Sequence, residues 1–561
     1  MNACQSTSSP ASRPVSTVDS STLLNQAANS QGTQRIELLL QAAAALMADG
    51  DRLGAAAALS QITEQQISNQ RQADTLYRLR ALVQSAEQPM LAQSQLAKVS
   101  AWQAEDFLLL ADICQRTNQY SCAADGYIQA SLALTLGHPA LPENINDRIW
   151  QNLGRATRSP GVFVHRYHHA WWRLQQDMRE AGSIAAQQQV WQRFQRRNPS
   201  HPAAIAPPTT LSNLFAYTAP TMGLFLPLTG NFSNLGKAVR DGFITAYLTE
   251  GAEAKVAVHI YDTNNQDLAQ LWEQALSDGI DVAVGPLLKQ NVERFAQITQ
   301  FSSETASLLL NYTDDNSVTG ARAYQLGIAI EDEANALAQQ VLLQGHSRIL
   351  LVHSADRWAE RARATFEAQW PYPVAYAGFR DVKNVTQAVG EAMQVAASHT
   401  RRDQMATILG EQLEFLPRAR KDLDAVITLT NQVESRALIP ALQFHFAQEL
   451  PVYATSQATR GDAVQELAGF NLTEIPLFAE PTTAQQHLQA AFDLTQSSQA
   501  DLLALGHDAY RLATWLPILG PDAQLTLPGA TGYLWLDQGR RFRRDLPMVQ
   551  VTEAGLLTLV D

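Results

Sequence analysis

From about residue 220 onward, short apolar runs alternate with helical stretches, and that pattern fixes the class of fold. The runs are MGLFLPL (222–228), KVAVHIYD (255–262), DVAVGPL (281–287), SLLLNY (307–312), RILLVHS (348–354), DAVITLT (424–430) and PVYATS (451–456). A strand that is apolar nearly throughout is buried on both faces. Strands of this kind separated by helices build a parallel sheet covered on both sides. Roughly 340 residues exceed one core of this type, so two α/β lobes are expected over 220–561.

Before that point the pattern is helical. Residues 1–30 are rich in Ser, Thr, Asn and Gln and read as a flexible tail. Over 31–197 apolar residues recur at three and four, with dense alanine and scarce proline. Two stretches align. In one, Leu40, Ala44 and Met47 precede a turn at Asp49 to Arg52 and then Ala56. In the other, Phe107, Leu110, Ala111 and Cys114 precede a turn near Asn118, then Ala123, Tyr127 and Ala130. Small residues on facing helices allow close backbone approach, and this spacing resembles tetratricopeptide hairpins. A generic alanine-rich bundle is the alternative. Residues 198–219, with Pro207 and Pro208 adjacent, read as a Pro-rich linker.

The net charge of -13 argues against nucleic acid as a partner. No apolar run reaches the length of a membrane-spanning helix. Three cysteines exclude a disulfide scaffold and a cysteine-built zinc site. Nucleophile-elbow, P-loop and zinc-protease motifs are missing, so no enzymatic activity and no cofactor are expected.

Four groups of side chains stand out. His165, His168 and His169 share a helix face, as zinc ligands or as part of a packed helix; the packed helix is the expectation and no metal site is assigned. Arg418, Arg420 and Lys421 form one basic run. Arg540, Arg541, Arg543 and Arg544 form another, between apparent strands, where an exposed run would meet an acidic partner or cell-wall material. Cys114 and Cys122 flank the Asn118 turn at similar heights, either bridged or as two buried thiols.

The stretch APTMGLFLPLTGNFSNLGKAVRDGFITAYL resembles the opening of type I periplasmic binding proteins, through Pro227-Leu228-Thr229-Gly230 and Arg240-Asp241-Gly242. That resemblance implies a two-lobed fold with a cleft beyond the strand ends, lined by Thr229, Gly230, Asn231, Ser233 and Asn234. After the third strand, Leu287-Leu288-Lys289-Gln290 stand where amino-acid-binding relatives carry small hydroxyl residues. This departure counts against an amino-acid ligand. The whole order of tail, helical hairpins, linker and α/β region resembles the LpoA family. Those are outer-membrane lipoproteins that activate a class A penicillin-binding protein. WQRFQRRNPSHPA (191–203), PRARKDLDAVITL (417–429) and GATGYLWLDQGRRFRRDLPMVQV (529–551) carry that likeness.

The resemblance implies a non-catalytic regulator of peptidoglycan synthesis that stimulates the synthase's transpeptidase. It implies lipidation at Cys4 and a periplasmic position on the outer membrane, with peptidoglycan as a further partner. Ala3 suits a lipoprotein cysteine, Asn2 does not, and the apolar leader expected before Cys4 is not in the sequence as written. A start placed too late would account for that. A solute-binding receptor with a small ligand in the cleft is the competing function.

Overall fold

The computed structural model describes residues 19–560, apart from 135–137, 140, 157–164, 182, 250–255, 301, 303, 314–319, 321, 411–419, 462, 493, 495–498, 520–525 and 556, and the side chains of 396, 397 and 399. Cys4 and Arg418 lie outside the described residues. By packing, the chain divides into two compact units, 1–145 and 146–561.

Among the described residues the first unit has only helices as regular structure. Its elements are α1 (Ser20–Ala28), α2 (Gly32–Ala48), α3 (Arg52–Ser60), α4 (Gln70–Gln84), α5 (Pro89–Leu96), α6 (Ala104–Arg116) and α7 (Tyr120–Ala133). The α6–α7 hairpin packs as the sequence suggests. Asn118 takes the left-handed conformation in the turn, and Ala111, Ala123, Tyr127 and Ala130 are fully buried. Gly126 lies against the backbone of Phe107 and Ala111, where a Cβ would sit 2.8 Å from a carbonyl oxygen. The α2–α3 hairpin has its turn where expected but a different buried face. Leu39, Leu40, Ala43, Leu46, Ala55 and Ala58 are inside, whereas Ala44 is exposed and Met47 and Ala56 are half-buried. The run Ala42 to Ala45 supplies small residues in every direction, so it fixes no single face.

Cys114 and Cys122 are joined by a disulfide, with 5.8 Å between their Cα atoms. The separation lies well inside the range a bridge tolerates.

The second unit opens with α8 (Ile145–Arg155), α9 (Arg166–Glu180), α10 (Ile184–Arg197), α11 (Pro202–Ile205) and α12 (Thr209–Asn213). Two parallel-cored sheets follow. The strands are β1 (Thr221–Leu226), β2 (Ala257–Asp262), β3 (Val282–Val284), β4 (Ala306–Leu309), β5 (Ala323–Leu326), β6 (Ile349–Ser354), β7 (Val374–Phe379), β8 (Ala425–Leu429), β9 (Val452–Ala454), β10 (Asn471–Thr473), β11 (Thr526–Pro528), β12 (Tyr533–Leu536), β13 (Arg541–Asp545), β14 (Met548–Val551) and β15 (Leu557–Leu559). The first lobe has the order β11-β12-β13-β5-β4-β3-β1-β2 and the second β15-β14-β10-β9-β8-β6-β7. The chain changes lobe after β5, after β10 and again between β13 and β14. Thus the two-lobed α/β architecture expected from the apolar runs is the one observed.

Helices cover the sheets: α13 (Ser233–Thr249), α14 (Leu268–Ser277) and α15 (Lys289–Thr299) in the first lobe, then α16 (Ile330–Leu343), α17 (Arg357–Gln369), α18 (Val385–Ala392), α19 (Val395–Leu409) and α20 (Gln432–Phe444) in the second. The short α21 (Pro476–Ala479) and α22 (Thr483–Ala491) lead into α23 (Ala500–Trp515), which returns to the first lobe. There α23 crosses α13 at very short range. A Cβ on Gly242 would lie 1.9 Å from the Leu503 carbonyl oxygen, and one on Gly506 would lie 1.9 Å from that of Val239. The Arg-Asp-Gly motif of the first helix is therefore half of a backbone-to-backbone contact.

Helices α8 and α9 pack on the β12–β13 hairpin. Arg155 pairs with Asp545 at 2.7 Å, and its guanidinium lies 3.8 Å from the Trp535 ring centre. Arg179 covers the Tyr533 ring and donates to the carbonyls of Leu153 and Gly154 at the end of α8. The Pro-rich segment folds locally too: Asn146 donates to the carbonyls of Pro202 and Ala206, and Leu211 and Leu214 are buried.

Two outcomes follow from this packing. Replacing Cys114 and Cys122 with alanine is expected to cost the helical unit about 2.5 kcal/mol, the chain-entropy value for so short a loop. Denaturant unfolding of the oxidised and substituted proteins measures it. Gly506→Val is expected to destabilise the second unit by about 3 kcal/mol, because neither backbone at the crossing can yield to a side chain. A thermal midpoint equal to wild type would show that the crossing tolerates a side chain.

Candidate functional site

The cleft of a two-lobed α/β protein lies at the carboxyl ends of its strands. On the first lobe the loop from β1 to α13 carries Thr229, Gly230, Asn231, Ser233 and Asn234. Thr229 is engaged inside the lobe. Its hydroxyl donates to Asp262 at 2.6 Å and accepts from Asn264 at 3.1 Å. The same carboxylate takes the backbone N–H of Leu228 and of Asn264. Burial would raise the Asp262 pKa, but those donors outweigh it and hold it below the usual range. Gly230 has a φ of 73° and backs onto the Asn264 side chain. Ser233 starts α13, and Asn231 and Asn234 are exposed. After β3, Leu287 is buried, its carbonyl accepts from Asn311, and Lys289 begins α15.

The strongest electrostatic feature lies where the two lobes meet. Arg544 on β13 is buried and donates to Asp332 at 3.2 Å, to the Ala329 carbonyl at 2.7 Å and to the Thr531 carbonyl at 3.2 Å. Asp332 belongs to α16, whose apolar face packs on β6 and β8 in the second lobe. The ion pair thus joins the lobes. Next to it, Glu333 accepts the backbone N–H of Ser456 at 2.9 Å. Arg460, in the loop after β9, grips Glu474 with two bonds of 2.8 Å and reaches Asp501 at the start of α23. That is a second bond between lobes. Asp508 of α23 accepts from the backbone of Ala530 and Thr531 and from the Thr531 hydroxyl. In this way the turn that presents the Thr531 carbonyl to Arg544 is itself fixed by α23.

Burial shapes the protonation of this cluster. It pushes Asp332 up to about 6 against the opposing pull of Arg544 and Arg543, and Glu333 up to about 7 against Arg544 and Arg460. Burial also opposes the charge on Arg460, but Glu474 and Asp501 outweigh it and keep the guanidinium protonated. Arg544 with Asp332, and Arg460 with Glu474 and Asp501, fasten the two lobes.

The run Arg540 to Arg544 is not the exposed basic segment expected between strands; residues 541–545 are themselves strand β13. The period of two places Phe542 and Arg544 on one buried side, at 0% and 2% exposure. Arg540 and Arg541 donate to the carbonyls of Gly320 and Thr313, and Arg543 pairs with Asp537 at 2.9 Å. In RFRRD only Phe542 is apolar, so no alternation marks the strand; the acids that meet it are in IEDEA at 330–334. No local pattern marked Arg460, Glu474 or Asp501, which come together only through the topology.

The histidines are dispersed. His165 caps α9 by accepting from the Tyr167 N–H, His168 is buried and His169 exposed. Arg420 forms two bonds to Asp422, at 2.7 and 2.6 Å, and Lys421 is exposed.

Glu333 gives the site a testable pH dependence. Its folded-state pKa is raised, so folding favours the protonated form. The resulting stability is present below about pH 4.5 and is lost as pH rises through about 7. Glu333→Gln mimics the protonated state, keeps an acceptor for Ser456 and leaves Asp332, Arg544 and Arg460 in place. The variant is expected to show a flatter fall in denaturation midpoint between about pH 5 and about pH 8 than wild type. Equal slopes would contradict this role.

Comparison with known proteins agrees with the fold. A family model described as LppC putative lipoprotein matches residues 14–553. The penicillin-binding protein activator LpoA of Vibrio cholerae is 26% identical over 551 residues, spanning 94% of this chain and 91% of its own. The protein of that name from Photobacterium profundum is 27% identical over 373 residues, spanning 64% of this chain and 60% of its own. Full-length LpoA from Haemophilus influenzae has the same fold, with a TM-score of 0.50 at 21% identity over 97% of this chain and 98% of that one. The likeness to LpoA drawn from the sequence is thus borne out. Because the match runs through the helical region and both lobes, the chain belongs to the LppC putative lipoprotein family.

Proposed function

We propose that this chain is a non-catalytic activator of a class A penicillin-binding protein. It acts on the synthase's transpeptidase from the periplasmic face of the outer membrane. The observation that carries this reading is the end-to-end relation to proteins named penicillin-binding protein activators, over 94% of this chain. The protein works by binding. It favours the synthase's active state to the extent that it binds that state more tightly than the resting one, each tenfold preference being worth about 1.4 kcal/mol. Lipid on Cys4 anchors the chain, with about 0.8 kcal/mol gained per buried CH₂. The helical region from 31 serves as a docking or spacer domain, and the two-lobed region also contacts the synthase. Peptidoglycan is a further candidate ligand.

The test is a cross-linking assay with a purified class A synthase and its lipid-linked substrate. Adding this protein is expected to raise the cross-linked fraction saturably, without changing the products made by a transpeptidase-inactive synthase. Unchanged cross-linking at saturating protein would contradict the proposal. A small ligand found in the cleft by calorimetry, with no stimulation, would support a solute receptor instead.

A further inference from the structure

The chain carries a second basic group, separate in sequence from the buried arginines of β13. Residues 181–240 contain no Asp or Glu, although the whole chain has a net charge of -13. Within that stretch Arg193, Arg196 and Arg197 are exposed near the end of α10. Their i, i+3 and i+4 spacing gathers them within about a third of the helix circumference. Among the described residues none of the three has a carboxylate in ion-pair range. One cation at a helix C-terminus is favourable, but three crowded guanidiniums repel one another. Among the described residues no carboxylate relieves that repulsion.

The patch extends onto α9 through His201. This buried ring stacks edge-on against Phe194 of α10 and Tyr167 of α9, with centroids 4.9 and 5.2 Å away, and bonds to the Tyr167 carbonyl. Arg166, the residue before Tyr167, is exposed at the same end of the hairpin. Two apolar side chains in the segment after α10, Ile205 and Phe215, are 62% and 50% exposed.

We infer that the α9–α10 hairpin end is a docking surface for an acidic protein surface, carried by the synthase. This assignment rests on the activator reading above. Charge complementarity selects the partner: a self-repelling cluster of cations on an acidic body is satisfied by clustered carboxylates. The cations are all arginine, with no lysine between Lys98 and Lys237, and a guanidinium's fork pairs with a carboxylate through two bonds. Exposed Ile205 and Phe215 add the apolar contact typical of a protein interface.

The test combines Arg193→Glu, Arg196→Glu and Arg197→Glu in the full chain, with the corresponding triple glutamine variant beside it. The thermal midpoint is expected to stay near that of wild type. The concentration needed for half-maximal stimulation of the purified synthase is expected to rise about tenfold or more for the glutamate variant, and less for glutamine. The wild-type requirement is expected to increase with salt, and the variants' to change less. Full stimulation by the glutamate variant, alongside a stimulating wild type, would overturn the docking surface and leave the activator reading standing. So would normal stimulation accompanied by lost binding to phosphatidylglycerol vesicles, which would place the patch on a membrane. A wild-type protein that stimulates no class A synthase would overturn both assignments.

Discussion

The buried pair of Arg544 and Asp332 is the contact on which the arrangement of the two lobes depends. A guanidinium taken out of water costs several kcal/mol unless its donors are met. Here Asp332 and the carbonyls of Ala329 and Thr531 meet them. Ala329 and Asp332 lie together at the start of α16, and Thr531 comes from a turn far later in the chain. They coincide only when α16 of the second lobe, the 529–531 turn and β13 of the first lobe stand in one geometry. Arg460 adds a second bond of the same kind through Asp501. Removing one member of such a cluster leaves another charge buried and unpaired, so the groups stabilise their geometry as a set.

Close helix packing supports the same arrangement. The crossing of α13 and α23 at Gly242 and Gly506 holds Asp508 and Asp501 in position from the first lobe. Helices α8 and α9, through Arg155 and Arg179, brace the β12–β13 hairpin from its other side. The strand that carries Arg544 is thereby held on both flanks. A fold often associated with hinge motion is here fastened at its hinge. That suits a protein that presents a fixed surface to a partner.

The sequence revealed the parts of the fold whose cause is local. Continuous apolar runs announced β1, β3, β4, β6, β8 and β9, because burial on both faces leaves no polar alternation. Edge strand β2 was announced by the same signal although most of it is only half-buried or exposed. The strands β7, β10 and β13 were not legible. Edge strand β7 is half exposed, and β10 is a three-residue segment with Asn471 and Thr473. Strand β13 carries four charged residues, and the partners of Arg541, Arg544 and Asp545 at Thr313, Asp332 and Arg155 lie more than 200 positions away. The same distance hid the lobe junction: Arg544 looks like part of a surface run until Asp332 is known to face it. The α2–α3 hairpin was misread in register for the opposite reason, an excess of small residues with no contrast between faces. The basic end of α10 was visible in WQRFQRR, but only the structure separates these exposed arginines from the buried set on β13.

If the charge cluster fastens the lobes, their separation has one value in solution. Spin labels at cysteines introduced for Glu273 on α14 and Glu360 on α17, with Cys4 replaced by serine, report it through pulsed dipolar spectroscopy. The account predicts a single narrow distance distribution, unchanged on adding amino acids or cell-wall fragments, and broadened when Arg544 is replaced by methionine. Two resolved distances in the otherwise unaltered protein, exchanging population with a small ligand, would contradict it.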